Sequence, residues 1–378
     1  MSGIYIHIPF CKKKCIYCDF YSVAKLSDSQ RYVNAVVKEL DMRHGAFVTK
    51  DSPLETVYIG GGTPSLLPLP QLQTIINAVF CIAGRERIKE VTIEVNPDDV
   101  TETYASAVAS IGVNRVSIGI QSFDDNELAA INRRHNATQA IDAVKHLKQA
   151  GISNISIDLI FGLPGQTVES LAKSLDVAIA LDVQHISVYN LTYEEGTRLW
   201  VMREKGTVKE ADEETVVKMY DIVRTKLAQA GFEHYEISNF AKPGFRSKHN
   251  SSYWNGTPYL GLGAAAHSFD GKQRMYNCPN LKQYLEKIEN GEVAFTAESE
   301  AWWERYDETV MVRLRTSEGL DVWQVEQTFG GNVAHKLQEK ANTFVAQGLL
   351  KRQGHTLRLT EKGVLVSDYI IRELMWDA

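Results

Sequence analysis

Nowhere in the 378 residues is there a run of about 18 apolar side chains, the length a helix needs to cross a bilayer. A membrane-spanning protein is therefore not expected. The start, "MSGIYIHIPF", has neither the positive charge nor the apolar stretch of an export signal, so a cytoplasmic protein is expected. A basic excess is missing too: 41 Lys and Arg face 47 Asp and Glu, for a formal net charge of -6. Global electrostatics thus give no reason to bind nucleic acid, and membrane contact would be peripheral at most. Internal repeats and low-complexity linkers are absent, which excludes solenoids and tethered arrays. Cysteine is scarce, with five in all, an odd number. That count excludes a disulfide framework, and three of the five crowd into one short stretch.

That stretch is "IHIPFCKKKCIYCDFYS", where Cys11, Cys15 and Cys18 fall within eight residues and Phe20 stands where a further thiol could follow. Sulfur is the natural ligand for zinc or an iron-sulfur cluster. A structural zinc site wants four protein ligands, and the remaining cysteines are poor candidates for the fourth. Cys81 lies in the apolar "TIINAVFCIAG" and is expected to be a buried core thiol, while Cys278 in "YNCPN" is far away and expected to be inert. Three thiolates suit a cubane cluster with one iron left open. The same loop carries Lys12, Lys13 and Lys14, which read either as a solvated charge run or as a docking patch for an acidic electron donor.

The first half of the chain alternates short β-branched runs with segments of helical period. The runs are 4–8, 56–60, 91–95, 115–120, 155–160 and 185–191, with helices expected at 28–45, 69–82, 101–110, 137–150 and 167–181. Spacings of this kind suit parallel strands joined by right-handed crossovers. Six βα units are too few for a closed eight-stranded barrel. The expected fold is therefore α/β, a partial, three-quarter (βα)6 TIM-like barrel of parallel strands, with a small C-terminal winged-helix-like α+β module. In such barrels the chemistry sits where the strands end. There the sequence has the cysteine loop, "GGGTPS" (60–65), Glu94 before "VNP", Gln121 in "GIQSFD", and Asp158 before "LIFGLPGQT".

CxxxCxxC after the first strand, followed by a glycine-rich second strand end, resembles the radical S-adenosylmethionine superfamily. The resemblance implies a 4Fe-4S cluster on Cys11, Cys15 and Cys18 whose open iron is chelated by S-adenosylmethionine, which an electron from the cluster cleaves to a 5'-deoxyadenosyl radical. Within that superfamily "YIHIPFCKKKCIYCDF", "GGGTPS", "EVNP", "GIQSF", "INRRH" and "DLIFGLPGQT" are similar to the oxygen-independent coproporphyrinogen oxidase group over essentially the whole chain. Carried over by motif, Tyr5 packs beside the cluster, Gly61, Gly62 and Thr63 contact S-adenosylmethionine, and Glu94, Gln121, Arg133 and Asp158 complete that pocket. Arg134 adjoins Arg133 and competes for the last role.

Two departures bear on function. The oxidases resemble CxxxCxYCxC, with a cysteine where this chain has Phe20, and carry an N-terminal segment before the first strand, whereas here that strand begins almost at Met1. Instead "KHNSSYW" (248–254) resembles the HNxxYW motif of the heme-chaperone branch of the group. An imidazole can ligate heme iron and Tyr253 and Trp254 offer flat apolar surface, so His249 and Tyr253 are the expected heme contacts, with His267 in "GLGAAAHSF" a second histidine to weigh. The resemblance implies heme and apo-hemoprotein recipients as partners, with no catalytic residue assigned. Residues 1–240 are expected to form the barrel, 241–296 a connecting segment with the HNxxYW motif, and 297–378 the winged-helix-like domain. From residue 333 onward seven Lys and Arg face five acids, too even for tracking phosphates, which favours a packing or partner-contact role for that domain.

Overall fold

The computed structural model describes residues 2–49 and 53–376. Its parallel strands are β1 (Ser2–Ile8), β2 (Leu54–Gly61), β3 (Glu90–Val95), β4 (Arg115–Gln121), β5 (Asn154–Phe161) and β6 (His185–Asn190), neighbouring one another in chain order. Each pair is joined through a helix, including Ser29–Arg43, Leu69–Ala83, Glu102–Ser110, Ala137–Gln149 and Val168–Ala180. Capping residues fix where these helices begin: Thr101, Asn136 and Thr167 each accept the backbone N–H three residues on. The expected partial barrel is thus present.

The strand alternation sets the two faces of its wall. In β1, Ile4, Ile6 and Ile8 are fully buried on one face, while Tyr5 and His7 share the other. The register carries this inner face around the wall. Tyr5, Tyr58, Thr92, Arg115 and Asn154 form one row; Glu94, Ser117, Ser156 and His185 form the next; Gly119, Asp158 and Ser187 form a third. Closed barrels of this kind fill their interior with branched apolar side chains. Here the inner rows are polar, and a polar lumen is suited to a ligand rather than to a packed core.

The sheet extends beyond β1 into residues 241–296, expected as the connecting segment with the HNxxYW motif. Tyr259–Leu262 pairs parallel with β1, and His267–Phe269, Arg274–Asn277 and Phe295–Ala297 follow as antiparallel strands. A four-residue strand written "YLGL" has too little alternation to announce itself in sequence.

The chain divides into two compact units. One takes in the chain up to Glu233 with Ala241–Ser252 and Thr257–Glu298; the other takes in His234–Phe240, Tyr253–Gly256 and the chain from Ser299 onward. In the second unit, helices Trp302–Leu314, Val322–Phe329, Gly331–Ala346 and Ser367–Leu374 enclose a core of Tyr306, Val310, Leu337, Phe344 and Ile370. Leu320–Asp321 pairs with the hairpin Leu350–Gln353 and Thr356–Leu359, a winged-helix-like arrangement. Among the described residues no helix is long and apolar enough to cross a membrane.

Candidate functional site at the strand ends

Beyond β1 the chain makes a loop whose two ends are stitched together. Phe10 and Val23 form an isolated bridge, and Cys11 N–H donates to the Val23 carbonyl at 3.0 Å. Within the loop Ile16 is buried with Ile131, Ile160, Leu163, Leu191 and Leu199, an apolar peg that holds the cysteines at the rim. Cys11, Cys15 and Cys18 are free thiols, each partly exposed. Arg133 Nη1 donates to Cys15 Sγ at 3.3 Å, and Cys11 Sγ lies 3.5 Å from Thr63 Oγ1. Among the described residues no three His, Cys, Asp or Glu side chains converge closely enough to hold one metal ion. A cubane takes each cysteine at a separate corner, and three cysteines on one loop suit such a cluster.

The lysines of this loop divide between structure and surface. Lys12 pairs with Asp99 at 3.3 Å, and Lys14 donates to the Phe20 carbonyl at 3.2 Å; Lys13 is exposed. Phe20, in the place of a further cysteine, is 60% exposed. Cys81 departs from expectation. The buried face of Leu69–Ala83 runs through Leu72, Ile75, Ile76, Val79 and Ala83, and Cys81 falls off that stripe into solvent.

The glycines at the end of β2 have steric reasons to be glycine. Gly61 has φ +107° and a Cβ there would meet the His7 ring at 2.5 Å; a Cβ on Gly62 would meet the Ile8 and Phe10 carbonyl oxygens at 2.8 Å. Either position is a cradle closed by the chain's own atoms, so a side chain there would displace β1 or the loop after it. Glu94 stands over it, accepting Gly61 N–H at 2.9 Å and the Tyr58 hydroxyl at 2.8 Å. Burial pushes its carboxyl up to about 7, with Asp158 adding to the rise. Tyr5 stacks on Tyr58 at 6.1 Å and is hydrogen-bonded to His7 Nδ1 at 3.1 Å.

Gln121 sits where β4 breaks register with β5, at φ +73°, a backbone position few side chains adopt. Asp158 accepts from Ser117 Oγ at 3.2 Å, and burial raises its carboxyl pKa. The structure separates the two arginines of "INRRH". Arg133 reaches Cys15, the Asn96 side chain and the Gly119 carbonyl, whereas Arg134 pairs with Asp98 and Asp99. At this mouth of the barrel, direct contacts join Thr63 to Cys11 and Arg133 to Cys15, and Glu94 joins Gly61 to Tyr58, on which Tyr5 stacks.

Sequence reasoning missed Arg115. It is 1% exposed in the polar lumen, with Nε and Nη1 lacking hydrogen-bond partners, and its charge acts on both Glu94 and Asp158. Its signal was the inward position in "RVSIGI", in register with Tyr58 and Thr92. Orphaned buried donors beside two carboxylates fit a lumen that takes a polar ligand or ordered water.

The structure does not bring His249 to this mouth. It is 0% exposed at the opposite, N-terminal end of the strands, bonded to Thr56 Oγ1 at 2.9 Å and stacked on Tyr58 at 5.3 Å. Its backbone N–H donates to Glu90 at 3.0 Å, and burial pushes its imidazole down to about 3. The helix Lys248–Asn255 gives His249 to the first unit and the half-buried Tyr253 to the second. His267 is exposed, on the strand His267–Phe269.

An incomplete parallel barrel with three cysteines in its first loop and a glycine cradle beside them defines a radical S-adenosylmethionine protein, and residues 5–178 match the Radical SAM superfamily. Residues 302–366 match the HemN C-terminal domain. The structure is similar to coproporphyrinogen III oxidase (HemN) from Escherichia coli, with a TM-score of 0.82 at 23% identity, covering 99% of this chain and 90% of that one. The heme chaperone HemW of Bacillus subtilis is 34% identical over 98% of both chains, and that of Lactococcus lactis 33% identical over 100% of this chain and 98% of its own. The chain belongs to the HemW family.

Proposed function

We propose that the protein is a heme chaperone, binding heme and handing it to apo-hemoproteins, respiratory enzymes among them, while keeping a 4Fe-4S cluster and an S-adenosylmethionine site. The observation that carries this reading is full-length likeness to heme chaperones at 33–34% identity. Phe20 supports it, since it stands where the oxidase pattern has a further cysteine. We assign Cys11, Cys15 and Cys18 to the cluster. When bound, such a cluster supplies the electron for reductive cleavage of S-adenosylmethionine. Gly61 and Gly62 admit the methionyl group against bare backbone, with Thr63 at the edge of their cradle. Glu94 would accept from its ammonium, with Gln121, Arg133 and Asp158 completing the wall and Tyr5 buttressing it from β1. Arg133 also holds the Cys15 sulfur.

Residues 1–240 act in this scheme as the cofactor barrel, 241–296 carry heme contacts, and 297–378 are a partner-contact module. Lys12, Lys13 and Lys14 are exposed on the cysteine loop, where an acidic electron donor would meet them. The site of action is the cytosol, with membrane contact through a recipient. A second reading, oxidation of a porphyrinogen propionate, is favoured by one observation: the polar lumen, with Glu94, Asp158 and Arg115, is that of a barrel able to hold a ligand. Titration of the purified protein with ferric heme tests the first reading. A saturable Soret shift that survives gel filtration is expected; heme that elutes free of protein would refute it.

A further inference from the structure

The histidines of this chain are nearly all committed. Eight of the ten bond or pair with neighbours: His7 with Tyr21, His44 with Leu40, His135 with Ile120, His146 with Val100, His185 with Ser156, His234 with Ile237, His249 with Thr56 and His335 with Glu339. His267 and His355 are those for which no such bond is found among the described residues. His355 lies in the turn of the C-terminal hairpin. His267 lies on a sheet face beside aromatic rings.

Register defines that face. His267 pairs with Tyr276 and Tyr276 with Thr296; Phe269 pairs with Arg274 on one side and Tyr259 on the other. Directly paired residues share a face, and these six therefore do. The alternate residue, Ser268, looks the other way and bonds Arg43 at 3.1 Å, which pins the strand from behind. His267 is exposed with its ring 6.0 Å from that of Tyr276, and the Arg274 guanidinium lies 5.7 Å over Phe269 and 3.5 Å from the Tyr259 hydroxyl. Three strands at about 4.8 Å spacing make a row about 10 Å wide, the scale of a planar macrocycle. The face continues the wall of β1, since Tyr259 pairs with Gly3 and the His267 backbone abuts Gly261, which pairs with Tyr5.

Resting on the heme reading above, we infer that this face holds the heme, with His267 as the iron ligand, Phe269 and Tyr276 against the macrocycle, and Arg274 on a propionate. An exposed imidazole, aromatic surface and a guanidinium are the three groups that an anionic metalloporphyrin requires. Burial lowers the His267 pKa, Glu298 opposing and Arg274 adding to the fall, which keeps the imidazole in the neutral form that binds iron. His249, by contrast, would have to leave its Thr56 bond and its stack on Tyr58 to reach any ligand.

Titration of the full-length protein with ferric heme and with its dimethyl ester, whose propionates carry no charge, tests this assignment. His267→Ala should lose the histidine-ligated Soret band and weaken heme binding about tenfold or more. His267→Cys should move the band to a thiolate-ligated position. Arg274→Gln should weaken binding of heme but not of the ester. Wild-type binding with unchanged spectra and affinities in His267→Ala and Arg274→Gln would overturn the assignment alone. Wild-type protein that does not bind heme would overturn the heme reading with it.

Discussion

Glu94→Gln removes one buried charge from the mouth of the barrel and keeps its shape. In the native protein the carboxyl titrates at about 7, against 4.5 for an ordinary glutamate, because burial opposes its ionised form more than Tyr58 and Gly61 favour it. A group whose folded pKa is raised contributes stability that is fully present below the unfolded pKa and lost as pH rises through the folded one. The window is therefore about pH 4.5 to 7, and the shift is worth about 3 kcal/mol across it. Asp158 and Glu236 are raised by burial as well, so the difference between native protein and variant is the informative quantity. Denaturant unfolding of the cluster-free protein at pH 5, 6, 7 and 8 measures it. The stability of Glu94→Gln relative to the native protein should climb by about 2–3 kcal/mol over that series. S-adenosylmethionine affinity should fall most at pH 8, where native Glu94 is ionised. Parallel stability profiles for the two proteins would refute the account of a buried, half-ionised Glu94.

Alanine at Cys11, Cys15 or Cys18 should abolish four-iron loading on anaerobic reconstitution while Cys81→Ala and Cys278→Ala load normally; loss of loading in Cys278→Ala would sink the three-ligand scheme. Gly62→Val should suppress the change that S-adenosylmethionine makes in the paramagnetic resonance of the reduced cluster, since its Cβ would meet backbone oxygens at 2.8 Å that cannot turn aside. An unchanged response would mean the cradle is elsewhere. Arg133→Met should impair cluster loading, because Arg133 alone of the pair reaches Cys15, whereas Arg134→Met should load normally and cost about 1 kcal/mol or less by denaturant unfolding.

The barrel was legible because its strands alternate and its helices are capped: "IYIHI" and "VTIEV" each announce a wall with one apolar face. The strand-end positions of Gly61 and Gln121 were legible because each follows a β-branched run and ends it in small or polar residues. Two things were hidden. Register decides which inward residues meet, so the row from Tyr58 through Arg115 could not be read from strings 20 or more residues apart. Burial of His249 depends on a helix folding back over Gly3 and Thr56, a long-range event that leaves the local "KHNSSYW" looking like a surface motif. Cys81 failed for the opposite reason: its helix was read as apolar overall, although the stripe through Val79 and Ala83 passes it by.

The central claim is that this barrel keeps its cofactor residues without performing the oxidase reaction. Anaerobic incubation of the cluster-loaded protein with S-adenosylmethionine, a reductant and coproporphyrinogen III, followed by product analysis, tests it most directly. The account predicts no protoporphyrinogen beyond background; its formation over multiple turnovers would contradict the chaperone reading, whatever the affinity for heme.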